Sequence, residues 1–264
     1  MPSFLTKTFS SFFNRIIQLN QSDNSGVDST TRNLQTGDGT NTSASLSDDV
    51  FAVQPVNDNT TGSMIVKNQG GSNILAVDTT NSVVLVGAAQ VNALTLFKEM
   101  GLYEFSPATA GYHYPLIANN VGMQGAEAMT SDDDWGNGAD PATSINVSGL
   151  TDAENAIAIY WYLENNITLD AVRYMCTSDG SSETLNFHLF AYDLATTSNH
   201  GDLSNGVVHA NASETGATAG AIRTGTFTLD TADIDANKVV IGFAEPSSST
   251  DDFSVSFNIK YHIR

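Results

Sequence analysis

The sequence predicts a mainly β protein with an amino-terminal amphipathic helix, an extended arm, a short intertwined β module and a carboxy-terminal antiparallel β-sandwich of jelly-roll type. Three observations predict this fold. Apolar residues recur at helical spacing near the amino terminus, short β-branched runs follow a long polar stretch, and apolar and polar residues alternate through the second half. We divide the chain accordingly into residues 1–59, 60–101 and 102–264.

The first segment combines the predicted helix with the arm. Between residues 3 and 19 the apolar side chains recur every three or four residues, as on one helix face. They are Leu5, Phe9, Phe12, Phe13, Ile16 and Ile17. Residues 20–59 are mostly polar. A segment of this composition does not fold alone, but it can lie extended on the surface of another protein. We therefore predict that the helix inserts into a partner; the alternatives are docking on its own chain and lying on a membrane surface.

The second segment has the pattern of three short strands and a short helix. The strands are predicted at 64–67, 73–78 and 82–87, and the helix at 91–100, closed by Gly101. A unit well below about 40 residues buries too little apolar surface to offset its chain entropy. Its apolar residues therefore need a partner surface, and the simplest partner is the same segment of other copies. The packing residues predicted for this contact are Ile65, Ile74, Val77, Val84 and Val86.

The third segment carries the strongest strand patterns. In the last run, Phe253, Val255, Phe257, Ile259, Tyr261 and Ile263 alternate with polar residues, which is the period of a sheet with one buried side. Similar alternation occurs at 157–163 and 185–190. Further strands are predicted near 145–148, 167–175, 205–210, 225–229 and 238–243. About eight strands of this kind favour an antiparallel sandwich.

Composition excludes several classes of function. The chain has 10 basic and 29 acidic residues and a formal charge of -19, a field that repels phosphate, so we predict no nucleic-acid binding. No run approaches the roughly 18 to 20 apolar residues that cross a bilayer. The amino terminus lacks the continuous apolar region of a secretory signal, and the single Cys176 forms no intrachain disulfide. These features predict synthesis in a cytoplasm without membrane insertion.

Three stretches resemble structural fibre proteins of tailed bacteriophages, particularly the marine short-tailed type. Pro-Ser-Phe-Leu-Thr-Lys through Asn-Arg-Ile-Ile-Gln, followed by Gly-Val-Asp-Ser-Thr-Thr-Arg-Asn-Leu-Gln, resembles their amino ends. The segment from Ser63 to Gly87 is similar to their short strand modules. The ending, with Lys-Val-Val-Ile-Gly-Phe before an alternating strand, resembles their terminal sandwich. The resemblance spans most of the chain and rests on this arrangement of segments.

The resemblance implies a virion protein made in the host cytoplasm. It implies a homotrimer whose amino-terminal helix docks on other virion proteins, of the tail or the capsid, and whose carboxy-terminal sandwich points outward. We expect a tail fibre or appendage that binds host-surface material, in particular glycan. A capsid decoration protein, head fibre or cement protein is the alternative, and a polysaccharide depolymerase is a further one.

The residues predict no catalytic centre and no cofactor. The five histidines show no ligand spacing such as His-Glu-x-x-His, and no phosphate loop or nucleophile elbow is present. His188 and His262 fall on predicted polar strand faces, where a solvated or cross-strand role is expected. Cys176 is predicted to be a small buried hydrophobe, and Trp161 a core residue.

One acidic run, residues 131–140, has a composition that suits ligand binding. Asp132, Asp134 and Asp140 offer hard oxygen ligands for Ca²⁺, although their spacing is not that of an EF-hand and most acidic loops bind no metal. We therefore assign no metal and keep these three as candidate ligands. Trp135 between Asp134 and Asn137 suggests a second possibility, since an aromatic plane beside polar groups is typical of sugar binding. These three residues are the candidate glycan contacts.

Overall fold

The computed structural model shows a mainly β protein, which confirms the coarse fold prediction. It describes residues 17–20, 26–89, 91–105, 108–119, 135–147, 156–180, 182–195, 201–216, 218–247 and 252–264. In these residues nineteen strands form four sheets, and neighbouring strands pair antiparallel. The chain divides into two compact units, one up to Leu94 and one from Thr95. Within the described residues no helix has the length and apolarity to cross a bilayer.

The first sheet of the first unit is a meander of four strands. They are β1 (Ile17–Leu19), β2 (Arg32–Thr36), β3 (Asn41–Leu46) and β4 (Phe51–Val53). Gly39, with φ +88°, makes the turn between β2 and β3, and the Asp28 carboxylate accepts two hydrogen bonds from the Arg32 guanidinium before β2. The expectation of an extended arm is therefore wrong for residues 32–53. Their strands pair with one another through backbone hydrogen bonds, so they do not need the surface of another protein to hold them.

The predicted amino-terminal helix is corrected at its end. Ile17 to Leu19 form β1, which pairs with Thr36 to Leu34 of β2. The interstrand hydrogen bonds to β2 stabilise the strand here, although the local spacing of apolar residues is helical. The remainder of the predicted helix, with Leu5, Phe9, Phe12, Phe13 and Ile16, lies outside the described residues.

The second sheet of the first unit contains the three strands predicted from the sequence. Its members are β5 (Met64–Lys67), β6 (Asn73–Asp78), β7 (Val83–Val86) and β8 (Val91–Asn92), paired in that order. The helix predicted over 91–100 is wrong, since β8 is followed by β9 (Thr95–Phe105). β9 pairs with the last strand of the chain from Thr95 to Phe105, and these long-range hydrogen bonds override a short helical pattern. The predicted division after residue 101 consequently falls inside β9.

The second unit contains two further sheets. Its other strands are β10 (Tyr114–Pro115), β11 (Trp161–Tyr162), β12 (Ile167–Ser178), β13 (Thr184–Leu194), β14 (Leu203–Thr215), β15 (Arg223–Thr226), β16 (Thr228–Leu229), β17 (Asp233–Ile234), β18 (Lys238–Pro246) and β19 (Phe253–Ile263). The six-stranded sheet has the order β10-β18-β13-β14-β16, with β11 also on β18. The five-stranded sheet has the order β15-β12-β19-β9, with β17 also on β12.

Side chains of both sheets meet in one apolar core. The Phe187 ring of β13 lies 5.6 Å from the Phe257 ring of β19 and 4.8 Å from the Tyr174 ring of β12. Cys176 belongs to the same core and is buried as predicted, and burial raises the pKa of its thiol to about 11. Trp161 is buried there too, as the sequence predicts.

The six-stranded sheet is covered on both faces. Phe187 and Leu189 of β13 face the shared core, whereas Phe190 and Tyr192 pack in a second apolar cluster with Trp135. Segments 135–147 and 156–160 supply much of this cluster. The strand predicted at 157–163 is correspondingly short, because Ala156 to Tyr160 form a hydrogen-bonded turn before β11. The expectation that β13 has a solvent face is therefore wrong.

Candidate functional site

The second face of the six-stranded sheet carries a cluster of two buried histidines and a partly exposed glutamate. Strand register explains why they meet. His188 of β13 pairs with Phe243 of β18, and Glu245 lies two residues further along β18 on the same face. His113 directly precedes Tyr114, which pairs with Ala244 on the other side of β18. Ligand atoms of His113, His188 and Glu245, the His–Glu cluster, all lie within 4.8 Å of one another.

His113 is held by a glycine turn. Its Nδ1 lies 2.7 Å from the carbonyl oxygen of Gly136, which also accepts the His113 backbone N–H at 3.3 Å. Gly136 has φ +98°, and a Cβ there would lie 2.6 Å from the backbone nitrogen of Ala142, so only glycine fits. Because a carbonyl only accepts, Nδ1 carries the proton, and the neutral ring presents the lone pair of Nε2.

His188 is held in the same tautomer from the opposite side. Its Nδ1 lies 2.7 Å from Oδ1 of Asn211, its partner on β14. The Asn211 amide is oriented by the Asp230 carboxylate, which accepts its Nδ2–H at 2.9 Å. Oδ1 of Asn211 is thereby the acceptor facing His188, and the His188 Nε2 is left unprotonated. Asp140 adds a negative charge, with Oδ1 3.8 Å from the same Nδ1.

Both imidazoles are buried and neutral. His113 is 1% exposed and His188 is 6% exposed, and the Nε2 atom of each is buried without a hydrogen-bond partner. Burial lowers the pKa of His113 to about 4, although the Gly136 hydrogen bond acts in the opposite direction. Burial likewise lowers the pKa of His188, opposed by Asn211 and Asp140. Of the two roles expected for His188, the solvated one is wrong because the second apolar cluster covers that face, and the cross-strand one is confirmed by the contact with Asn211.

The carboxylate of the cluster is partly exposed and oriented. Asn186, the β13 partner of Glu245, donates its Nδ2–H to Glu245 Oε2 at 2.5 Å. The two histidine rings stand edge to face, with centroids 5.1 Å apart. Chemically, the cluster combines two unprotonated nitrogens with one carboxylate. Such a set can accept hydrogen bonds or a cation.

The acidic run does not form the predicted sugar platform. Trp135 is 1% exposed, and its ring packs 5.8 Å from the Phe243 ring, so it has no face available for stacking on a sugar. The assignment of Trp135 as a glycan contact is wrong for this reason. Asn137 and Asp140 are exposed, whereas Asp132 and Asp134 lie outside the described residues. Asp132, Asp134 and Asp140 therefore stay candidate Ca²⁺ ligands, with no metal assigned to them.

A second candidate site is one face of the β5–β8 sheet. Cross-strand pairs Met64 with Val77, Val66 with Leu75, Leu75 with Val86, Val77 with Val84 and Val86 with Val91 place seven apolar side chains on one side. This apolar face consists of Met64, Val66, Leu75, Val77, Val84, Val86 and Val91. Five of them are exposed, and Leu75 and Val77 are half-buried. The apolar face ends at Asn73, which pairs with Lys67 and lies two residues before Leu75. An exposed apolar patch of this kind is typical of an interaction surface.

The register sorts the predicted packing residues into two groups. Val77, Val84 and Val86 belong to the apolar face. Ile65 pairs with Ala76 and lies on the opposite face, as does Ile74, two residues before Ala76. Sequence analysis grouped all five because strand direction and register are needed to separate the faces. The predicted anchoring residue Ile17 is exposed on β1, and the other anchoring residues lie outside the described part of the chain.

The His–Glu cluster is what sequence reasoning missed. Its three members are far apart along the chain and match no short motif. The sequence feature that could have indicated the cluster is the presence of two polar residues, Asn186 and His188, in an apolar strand. Their alternation with apolar residues instead suggested that they face solvent. A comparison of the chain with protein-family models and with characterised proteins finds no match.

Proposed function

We propose that this chain is a structural protein of a tailed-phage virion, a homotrimeric tail fibre or appendage without enzymatic activity. Its amino terminus docks on other virion proteins, and its carboxy-terminal half projects as an antiparallel, jelly-roll-like β-sandwich toward host-surface glycan. The observation that supports this most directly is the exposed apolar face of the β5–β8 sheet. The resemblance of three segments to phage fibre proteins supplies the biological setting and the number of chains.

The apolar face has the size that self-association needs. Full burial of a Val or Met side chain stabilises by about 1.5–3 kcal/mol. The exposed members of the face, Met64, Val66, Val84, Val86 and Val91, are each already more than half covered. Closing the face against sister chains then contributes about 0.5–1 kcal/mol per residue, or about 3–5 kcal/mol per chain. A small sheet is only marginally stable by itself, and such a contact adds to its stability.

The lack of charge on the apolar face allows other copies of the chain to occupy it in spite of their net charge. Each chain carries a formal charge of -19, so identical chains repel unless they meet through an uncharged surface. The apolar face has no ionisable residue among its seven members. In a symmetric oligomer the same face is supplied by every chain, and no foreign protein is required.

The second unit supports the sandwich part of the proposal. Its two antiparallel sheets bury one common core, which is the arrangement of a β-sandwich. With Trp135 buried, Tyr162 offers an aromatic ring for sugar contact, since it is 46% exposed and its hydroxyl donates to Asn237 Oδ1 at 2.8 Å. Three copies of a weak site in one trimer bind a multivalent glycan surface by avidity.

The oligomer is tested by the mass of the purified full chain in solution. We expect three times the chain mass of 28.0 kDa by sedimentation equilibrium or light scattering. Val66→Asp, on the apolar face, should yield single chains. Ile65→Asp is the matched control, because Ile65 and Val66 are 41% and 42% exposed on the same strand but on opposite faces. A folded wild-type monomer, or equal effects of both substitutions, would refute the proposed contact.

The virion role is tested on particles. Phe12→Asp combined with Ile16→Asp should leave the soluble trimer intact and abolish incorporation into particles; retention would refute the anchoring role. Antibody labelling and copy number distinguish a tail fibre from the alternative, a capsid decoration, head-fibre or cement protein. New reducing ends from host polysaccharide would instead identify a depolymerase. A trimeric mass would rule out a monomeric carbohydrate-binding module.

A further inference from the structure

We propose that His113, His188 and Glu245 form a binding site for a divalent transition-metal ion of the Zn²⁺ class. All three ligands come from one chain and from the second unit, so the site is independent of the trimer and of the virion role.

The unpartnered nitrogens need an explanation. A buried polar atom without a partner costs about 1–3 kcal/mol, and such atoms are rare in native proteins. Here two of them, Nε2 of His113 and Nε2 of His188, occur in adjacent rings beside a carboxylate. Two lone pairs cannot hydrogen-bond each other. A cation between them satisfies both at once, and the negative charge of Glu245 balances it.

The surrounding hydrogen bonds are those of metal-binding histidines. In metal sites the nitrogen that does not bind the ion usually donates to a carbonyl or carboxylate, which fixes the tautomer and the ring plane. Gly136 O accepts from His113 and Asn211 Oδ1 accepts from His188, each at 2.7 Å. Asn186 orients the third ligand, Glu245. Every ligand therefore has its own positioning group.

The rings are also in the charge state that a metal requires. A metal binds the neutral imidazole, and protonation competes with it. The Nδ1–H of His113 donates to Gly136 O and that of His188 donates to Asn211 Oδ1, so each ring is the neutral tautomer with its lone pair on Nε2.

Ligand type and spacing select the class of metal. Two imidazole nitrogens and one carboxylate suit Zn²⁺, Co²⁺ or Ni²⁺, whereas Ca²⁺ and Mg²⁺ prefer oxygen ligands. Tetrahedral Zn²⁺ with bonds of about 2.0–2.2 Å places its ligand atoms about 3.3–3.6 Å apart. The three ligand atoms lie within 4.8 Å of one another, so the side chains, among them that of the partly exposed Glu245, move closer together when the ion binds. The fourth position is then left for water.

Such a metal would cross-link three parts of the six-stranded sheet. His113 precedes β10, His188 is on β13, and Glu245 is on β18. Because the metal binds the folded chain and not the unfolded one, it raises the thermal stability of the second unit by an amount that grows with the logarithm of the free metal concentration above the dissociation constant.

The test uses untagged, EDTA-treated full-length protein titrated with ZnCl₂ at about pH 7.5 in a calorimeter, with Co²⁺ absorption as a second probe. We expect one ion per chain and a rise in the unfolding temperature. Glu245→Gln, which keeps the shape of the side chain, should weaken binding at least 100-fold, and His188→Gln should do the same. Asn211→Ala removes only a positioning group and should weaken binding about 10- to 100-fold.

His209→Gln is the matched control for these variants. His209 is also buried and also hydrogen-bonded through Nδ1 to a backbone carbonyl, that of Thr231, but it is not a member of the cluster. Its substitution should leave the Zn²⁺ affinity unchanged. Tryptophan emission of each variant verifies that the fold is retained. Absence of stoichiometric binding, or equal binding by Glu245→Gln and the wild type, would overturn the site.

Discussion

The two sheets of the second unit are in close contact at Gly242, and replacing this glycine with alanine tests the contact. A Cβ at Gly242 of β18 would lie 2.9 Å from both Cδ2 and Cε2 of Phe257 on β19, and 3.2 Å from Sδ of Met100 on β9. Phe257 is fully buried, with its ring 4.8 Å from the Phe227 ring, so it has little room to move. The added methyl therefore forces the sheets or the ring to shift.

The magnitude follows from two opposing contributions. Overpacking a filled core by a methyl group costs about 1–3 kcal/mol. Replacing a strand glycine with alanine recovers about 0.5–1 kcal/mol of backbone entropy and propensity. We expect Gly242→Ala to lower the free energy of unfolding by about 1–2 kcal/mol. In a Phe257→Leu background the ring carbons are gone, so the double variant should be more stable than the sum of the two single effects by about 1–2 kcal/mol.

Urea unfolding followed by tryptophan fluorescence measures these effects in the second unit alone. The chain has two tryptophans, Trp135 and Trp161, and both are buried in that unit. Gly138→Ala is the control, because a Cβ at Gly138 meets no atom within 4 Å and should change stability by less than about 0.5 kcal/mol. Strictly additive effects of Gly242→Ala and Phe257→Leu would show that the two sheets do not meet there.

Three further predictions concern single groups of the same unit. Tyr174→Phe removes a hydrogen bond from the Tyr174 hydroxyl to the Glu214 carboxylate at 2.5 Å and should lower the free energy of unfolding by about 1.5–3 kcal/mol; a neutral effect would contradict that bond. Cys176 should not react with a thiol reagent at about pH 8 in native protein, because burial raises its pKa to about 11, and should react at once in urea; rapid native labelling would disprove its burial. Burial lowers the pKa of His209, so the unfolded chain binds a proton near pH 6.5 that the folded chain excludes. Stability should therefore fall as the pH drops below about 6.5, and His209→Gln should flatten that part of the curve in urea titrations; an unchanged slope would contradict the assignment.

Strands with one buried side were predicted well from the sequence. The last strand shows this best: its predicted alternating residues from Phe253 to Ile259 are buried, and the structure gives β19 over Phe253–Ile263. The strands of the short module at 64–67 and 73–78 are also as predicted. In these segments the local period of the side chains and the tertiary environment agree, so periodicity is sufficient.

Prediction failed where distant pairing overrides the local pattern. Residues 91–100 carry a short helical spacing, yet β9 forms there because its backbone completes the ladder beside β19. β13 alternates like a one-sided strand, but segments 135–147 and 156–160 cover its second face and bury His188. The residue pattern of β9 does not indicate its pairing with β19, and the pattern of β13 does not indicate the segments that cover its second face.

The sequence by itself determined the mainly β class, the strong acidity of the chain and the apolar character of the β5–β8 strands. These properties depend on composition and on residues a few positions apart. Only the tertiary structure decided which face of that sheet is continuously apolar and which residues form the His–Glu cluster. Both depend on interstrand register, which joins residues far apart in the chain, and a shift of one residue would move each side chain to the opposite face.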